Sequence, residues 1–317
     1  MRSLVTGASG FIGANLVRRL LKDGHEVHVF LRPGHSAWRL EEVRSKIHIH
    51  LIDICGRHLA GIVKDIRPKW VFHLAAHGAY SSQTDARRII QTNIVGTVNL
   101  VEACLAAGFE SFVNTGSSSE YGFKNHAPSE DEPLEPNSLY AVSKAAATFF
   151  CRYTALSRRV HLPTLRLYSV YGAFEEPTRL MPTLIMKGLE GKWPPLVSPN
   201  VARDFVYVED VVEACLRAAE KRGGDPGAIY NVGSGVQTSM RQVAAIARLV
   251  LGIKAKAAWG TMPDRQWDTH IWRSDIRKIK KELGWKPQTG FEKGLRLMAE
   301  WLRASPAMLR FYKRRQK

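Results

Sequence analysis

Tyr140 and Lys144 stand four residues apart in Tyr-Ala-Val-Ser-Lys, downstream of Thr115-Gly116-Ser117-Ser118-Ser119. A phenol with its pKa near ~10 is a poor proton carrier at neutral pH unless something stabilises its anion. On a helix, a lysine at i+4 shares the tyrosine's face, and its positive charge does that. Ser117 could hydrogen-bond a substrate oxygen while Tyr140 exchanges its proton. Such a trio suits a carbonyl/alcohol redox step, which needs a hydride carrier. The segment Thr6-Gly7-Ala8-Ser9-Gly10-Phe11-Ile12-Gly13 offers a place for one.

The surrounding pattern says how these residues are held. Ser3–Thr6 reads as a short buried strand and Phe11–Lys22 as the helix after it, so Gly7, Gly10 and Gly13 link a strand to a helix N-terminus. Small residues there let backbone approach a pyrophosphate, whose charge is favoured by the helix end. Further strands are expected at Val27–Leu31, Ile47–Ile52, Trp70–Ala75, Ser111–Thr115 and Pro163–Leu167. Thr92–Ala107 and Leu139–Leu156 carry helical spacing. This alternation predicts an α/β, Rossmann-type, doubly wound parallel sheet with helices on both faces.

After Gly172 the alternation breaks. Glu175–Val201 is proline-rich, and Pro194-Pro195 argues against regular structure there. Asp204–Arg222 reads as a strand and helix, and Ala228–Val232 as a strand returning to the main sheet. Helices at Ser239–Leu251, Arg273–Leu283 and Glu292–Arg303 are assigned to a smaller lobe. The expected division is 1–172 with 204–236 for the dinucleotide, and 173–203 with 237–317 as an interleaved substrate domain.

The end of the second strand discriminates between dinucleotides. An acidic residue there would bind the ribose 2′-hydroxyl, whereas this chain has Leu31-Arg32, whose guanidinium could pair with a 2′-phosphate. NADP(H) is therefore favoured, with NAD possible; Arg32 could also be a solvated turn residue before Pro33. Asp53 and Ile54, closing the third strand, are candidates beside the adenine, although Asp53 could equally be a turn-former.

The net charge of +17 fits anionic partners. Basic residues are mostly dispersed, as at Arg18, Arg87 and Arg158, which favours a general surface bias over a nucleic-acid groove. The dense exception, Tyr312-Lys-Arg-Arg-Gln-Lys317, reads as a solvated, frayed terminus before it reads as a contact for membrane or RNA. Cys55, Cys104, Cys151 and Cys215 are scattered, so they read as single thiols of a reducing cytosol, with no metal site. No apolar run approaches the roughly 20 residues of a membrane span, and a glycine loop beginning at Thr6 leaves no removable leader. A cytoplasmic location is expected.

With these residues in view, the chain resembles the extended short-chain dehydrogenase/reductases, the nucleotide-sugar epimerase, dehydratase and ketoreductase group. The likeness spans nearly the whole length: Thr6–Gly13, His73-Leu74-Ala75-Ala76, Asn93–Asn99, Ser117–Gly122, Tyr140–Lys144, Arg166–Gly172, Arg203–Val208 and Leu283–Pro287. It implies cofactor contacts from Gly7, Ser9, Gly10, Phe11, Ile12, Gly13, Leu74, Ala75, Ala76, Asn93, Tyr140 and Lys144. It also implies a nucleotide-sugar pyrophosphate held by Arg203 and Arg265, where bidentate guanidinium contacts suit the task. His77, Ser117, Ser118, Ser119, Ser169 and Arg179 are the other substrate candidates. Ser169 stands where many relatives have asparagine. Homodimerisation through the two long helices is implied by the same analogy.

The residues after Ser117 narrow the reaction. Related 4,6-dehydratases carry acidic residues there, and 3,5-epimerase/reductases a cysteine at the position of Ser119; this chain has serines. Glu120 comes one position later, and a place on the sheet's other side is expected for it. NADPH-dependent reduction of a nucleotide-linked 4-keto-6-deoxyhexose is the leading expectation, because Leu31-Arg32 favours NADP(H). The alternative is an NAD-dependent 4-epimerase passing through a transient 4-keto sugar. A catalytically silent NADP(H)- or RNA-binding scaffold is a third reading, against which the intact Ser117, Tyr140 and Lys144 count.

Overall fold

The computed structural model describes residues 1–34, 36–80, 82–262 and 269–316. Eleven short strands are described: β1 (Arg2–Thr6), β2 (Glu26–Leu31), β3 (His48–Leu51), β4 (Trp70–His73), β5 (Ser111–Ser117), β6 (Thr164–Leu167), β7 (Ser169–Tyr171), β8 (Ala202–Arg203), β9 (Phe205–Tyr207), β10 (Ile229–Val232) and β11 (Thr238–Ser239). Seven of them form one sheet in the order β10-β6-β5-β4-β1-β2-β3. Every pairing in it is parallel. The order reverses between β1 and β4, and the crevice beyond the strand ends at such a point is where ligands bind in open α/β sheets.

The helices are α1 (Phe11–Lys22), α2 (Leu59–Ile66), α3 (Ala86–Ile90), α4 (Gly96–Ala107), α5 (Leu139–Arg158), α6 (Leu180–Leu189), α7 (Val208–Glu220), α8 (Met240–Leu251), α9 (Arg277–Leu283), α10 (Phe291–Ala304) and α11 (Pro306–Arg315), and those of the first two cores cover both faces of the sheet. One apolar core joins β1, β2 and β4 to α1, α7 and α9, and another packs β1 and β4 against α2, α4 and α5. The third lies apart, built from Tyr171, Phe205 and Tyr207 with α6, α8, α10 and Tyr312 of α11.

Several segments depart from the sequence reading. α9 packs on β10 in the first core, with Trp285 fully buried beside it, and so leaves the smaller lobe. The proline-rich stretch contains α6, because Pro182 falls in its first turn, where a missing N–H costs nothing. Residues 190–201 have no regular structure, as Pro194-Pro195 leads one to expect. The tail is not frayed at Tyr312, which is fully buried and donates to the Glu175 carbonyl at 2.6 Å; Lys313, Arg314 and Arg315 after it are exposed.

α3 and α4 are joined by a π turn at Gln91–Val95 into a helical run, Ala86–Ala107, of 22 residues. By length and composition alone this run could cross a membrane. Two of its polar residues serve the core: Thr97 donates to the Asn93 carbonyl, and both residues are almost fully buried. Reading only uninterrupted apolar runs passes over it for that reason.

Candidate active site

The glycine loop lies against the exit of β4. Gly7 has φ +67°, and a Cβ there would stand 2.5 Å from the Leu74 carbonyl carbon. A Cβ on Gly13 would run into the Gly7 oxygen, so α1 can start where it does only because both side chains are missing. Leu74 N–H donates to the Thr6 carbonyl at 3.2 Å, and Ala75 N–H to Thr6 Oγ1 at 3.3 Å. Ser9 is buried, whereas Gly10, Phe11 and Ile12 are partly open. No side chain caps α1 at Gly10, which leaves first-turn amides free for an anion. Backbone that no Cβ could share and an uncapped helix N-terminus fit a dinucleotide's pyrophosphate.

Beside the loop stands a residue the sequence reading passed over. Arg39 is buried and donates to the Ser9 carbonyl (3.2 Å), the Phe174 carbonyl (2.7 Å) and Glu176 Oε2 (2.9 Å). It ties the glycine loop to the segment after Gly172. Arg32, by contrast, is half-exposed just past β2, where its field helps lower the His77 pKa, the largest cause being burial. Asp53 is an exposed turn-former, its Oδ1 accepting from Cys55 N–H at 2.9 Å. Ile54 is buried, and a Cβ on Gly96 would meet its side chain at 2.5 Å. Ala76 is exposed.

Tyr140, Lys144 and Thr148 succeed one another at i, i+4 and i+8 along α5. Ser117 ends β5 and caps a short 3₁₀ turn, Ser118–Tyr121. Its hydroxyl accepts from Ser119 N–H at 3.2 Å and stands near enough to the Tyr140 phenol to act on its pKa. The three catalytic candidates thus come together at the carboxyl end of the sheet.

What fixes them is Glu120. It is fully buried, and Oε1 accepts from Ser117 N–H (2.8 Å) and Thr148 Oγ1 (3.1 Å), while Oε2 accepts from Arg166 Nε (2.8 Å). Arg166 Nη1 then reaches Tyr121 Oη (2.9 Å) and the Glu130 carbonyl (3.1 Å). Instead of lying across the sheet, Glu120 is sealed between β5, β6 and α5, under the serine it holds. A Glu–Arg pair 46 residues apart gives no local signal; an acidic residue three after the N-cap serine is the one hint, since that spacing makes a capping box.

Burial pushes the Tyr140 phenol up to about 12, with the neighbouring Ser117 hydroxyl pulling the other way. It lowers the Lys144 ammonium, which the nearby Glu120 and Cys151 partly restore. His73 is driven down to about 3 by burial and by the Lys144 field, so it is neutral; its ring bridges Thr6 Oγ1 (2.7 Å) and Thr97 Oγ1 (2.9 Å). Asn93 grips the next stretch: Oδ1 accepts from His77 N–H, and Nδ2 donates to the His77 carbonyl and Ser143 Oγ, each at 2.8 Å. Its amide therefore braces the loop that runs past Tyr140, where a Cβ on Gly78 would lie 3.3 Å from the Tyr140 ring.

The outer wall carries the substrate candidates. Arg179 is exposed at the start of α6, its Cζ 5.5 Å from the Tyr80 ring centre, and its charge helps lower the Tyr140 pKa. Ser169 begins β7, its N–H bonded to the Asp204 carbonyl. Arg203 donates to the Ala202 carbonyl at 2.8 Å and lies 5.6 Å from the Trp272 ring. Trp272, Tyr168, Arg273 and the buried Ser118 line a recess. Tyr168 Oη, which the sequence reading did not single out, is buried with no hydrogen-bond partner among the described residues. Arg265 and Trp267 lie outside the described residues.

This arrangement has counterparts. Residues 3–233 match the family described as "NAD dependent epimerase/dehydratase family". The chain belongs to that family. It is an enzyme of the extended short-chain dehydrogenase/reductase type, as the resemblance implied. The UDP-glucose 4-epimerase of Mycolicibacterium smegmatis is 34% identical, over 96% of this chain and 99% of that protein. The dTDP-glucose 4,6-dehydratase of Streptomyces griseus is 30% identical, over 94% of this chain and 93% of its own length. The structure of UDP-glucuronic acid 4-epimerase from Bacillus cereus, in complex with UDP-glucuronic acid and NAD, superimposes with a TM-score of 0.84 at 28% identity, covering 96% of this chain and 99% of that one. These relatives favour the epimerase alternative over ketoreduction.

Two consequences are measurable. Glu120→Ala strands a buried guanidinium, and removing one partner of a buried pair costs about 3–5 kcal/mol; urea unfolding should show a loss of that order, smaller in Glu120→Gln. Glu175 is buried, its Oε2 without a hydrogen-bond partner among the described residues, and burial pushes its carboxyl up to about 8. Its raised folded pKa means the native state holds a proton the unfolded chain has lost. Stability therefore falls, by roughly 1.4 kcal/mol per pH unit, from the ordinary carboxyl pKa up to about 8. Melting of Glu175→Gln should match wild type at pH 5 and exceed it at pH 8; equal melting at both would rule out the buried acid.

Proposed function

We propose that this enzyme interconverts nucleotide-linked hexoses epimeric at C4, by way of a transient 4-keto sugar. One observation carries the choice within the family: the carboxylate nearest Ser117 is locked in the Arg166 pair, and the two positions after Ser117 are serines. Eliminating water from the sugar needs an acid or base beyond the Tyr140 phenol, and Glu120 is not free to be one. Reversible oxidation at one carbon needs only a single proton carrier.

The dinucleotide, when bound, supplies the acceptance and return of hydride. Gly7, Gly10 and Gly13 with the α1 amides would hold its pyrophosphate. Tyr140 Oη exchanges the proton of the C4 hydroxyl, Ser117 Oγ hydrogen-bonds the same sugar oxygen, and the buried Lys144 ammonium supplies positive charge for the phenolate. Arg203 and Arg265 are proposed for the substrate pyrophosphate and Arg179 for the sugar end. NAD is the proposed cofactor: an enzyme that returns the hydride it removes needs no reducing pool, and NAD accompanies the Bacillus cereus epimerase. Arg32 is the feature that speaks for NADP(H).

A homodimer is proposed on a separate observation. Val142, Phe149, Tyr153 and Leu156 project from one side of α5, Tyr153 being 70% exposed, with Ile90 exposed on α3. A second copy of the same surface would cover them.

Mass analysis of nucleotide released on denaturing fresh protein should find NAD, and UDP-glucose or UDP-glucuronic acid should be epimerised without added cofactor. Tyr140→Phe should lower kcat by about 10²–10⁴-fold while leaving the nucleotide bound. NADPH consumption with a 4-keto sugar, and no epimerisation, would return the assignment to ketoreductase. Light scattering should show Phe149→Glu with Tyr153→Glu to be monomeric and wild type dimeric.

A further inference from the structure

Far from the cleft, the N-terminal ends of β2 and β3 gather donor groups that the reaction does not use. Glu26 and His28 are two residues apart in β2, so the strand's alternation turns both side chains to one face. His48 is the direct ladder partner of His28 in β3, and their rings stack at 4.6 Å between centres. His28 Nε2 lies 3.1 Å from Glu26 Oε1, and His48 Nε2 lies 3.8 Å from the same oxygen. One ligand atom from each residue falls within 4.8 Å of the other two.

Two donors on a tetrahedral zinc ion, each bonded at about 2.0–2.1 Å, stand roughly 3.3 Å apart. The two distances to Glu26 bracket that value, so small side-chain turns would close the set. A second feature fits metal ligation. His50, on the same face of β3, places Nε2 3.1 Å from His28 Nδ1. A hydrogen bond there sets the tautomer of a ligating imidazole and aims its other nitrogen. Arg2 Nε stands 3.9 Å from Glu26 Oε2, which leaves Oε1 turned to the histidines. His28 is nearly buried, while Glu26 and His48 are exposed, so solvent can fill a fourth position.

We propose that Glu26, His28 and His48 form a site for a divalent transition cation, with Zn²⁺ the best match to two imidazoles and a carboxylate. The cation would clip β3, the edge strand, to β2. No reaction step is assigned to it.

The test uses full-length protein freed of any histidine tag, titrated with Zn²⁺ alone by calorimetry and with Co²⁺ alone by visible absorption. The expected result is one saturable equivalent, with the intense visible band of low-coordinate cobalt and a zinc-dependent rise in melting temperature. His48→Ala and Glu26→Gln, both at exposed side chains, should abolish the band, and His50→Ala should weaken binding about tenfold. Melting without metal checks that each variant is folded. Zinc affinity unchanged in the folded His48→Ala and Glu26→Gln variants, or no saturable binding by wild type, would overturn the site.

Discussion

A carboxylate and a guanidinium sealed from water between β5, β6 and α5 set the terms for the rest of the active site. Desolvating two charges is expensive, and their attraction offsets the cost only when the remaining donors and lone pairs are also satisfied. Glu120 and Arg166 meet that condition through Ser117 N–H, Thr148, Tyr121 and the Glu130 carbonyl. The network continues through Tyr121 Oη to Asn231 of β10 at 2.7 Å, and Asn231 N–H donates to Glu130 Oε1 at 2.8 Å. Three neighbouring strands, β5, β6 and β10, are thus pinned at the level of Ser117. Ser117 cannot shift without leaving a buried charge short of a partner. Burial works against the Lys144 charge, and Glu120 is close enough to support it.

The opposite wall is made differently. Between Gly172 and α6 the chain is held mainly by backbone acceptance: Arg39 and Tyr312 donate to the carbonyls of Phe174 and Glu175, and Gln316 to that of Pro177. Phe174 adopts φ +68°, an uncommon conformation for a residue with a side chain, and its ring takes the Arg18 guanidinium 3.9 Å from its centre. Residues from three distant stretches of sequence therefore converge on a segment that has no regular structure of its own. The C-terminal helix acts here as a strut for this wall.

Those two walls also mark what the sequence could disclose. The period of four along α5 and the glycine spacing before α1 are local, and each points to its structure without help from the rest of the chain. Sheet order follows from strand–helix alternation and the handedness of crossovers. Arg39 escaped notice because its acceptors, Phe174 and Glu176, lie 135 and 137 residues away, and Arg32 was the nearer cation to a familiar position. Asn93 is a cofactor candidate through the family resemblance alone; its bonds to His77 and Ser143 exist only once the chain is folded. α9 was assigned to the wrong core since its spacing says that it buries a face, not which face of the sheet receives it.

The difference between a rigid floor and a loop-built roof bears on the proposed epimerisation. Returning a hydride to the opposite face of a 4-keto sugar requires either the hydride source or the sugar to change sides. A glycine loop pressed against the Leu74 carbonyl, and a tyrosine packed beside Gly78 and Ser117, leave little freedom on the floor. The sugar must then be what turns, anchored by its nucleotide and free at the hexose. A wall held by carbonyl contacts around Phe174, with the exposed Arg179 at its rim, is suited to admitting two poses of one ring. A dehydratase has no such need: it acts on a single pose and requires a second fixed acid or base, which neither the serines after Ser117 nor the paired Glu120 supplies.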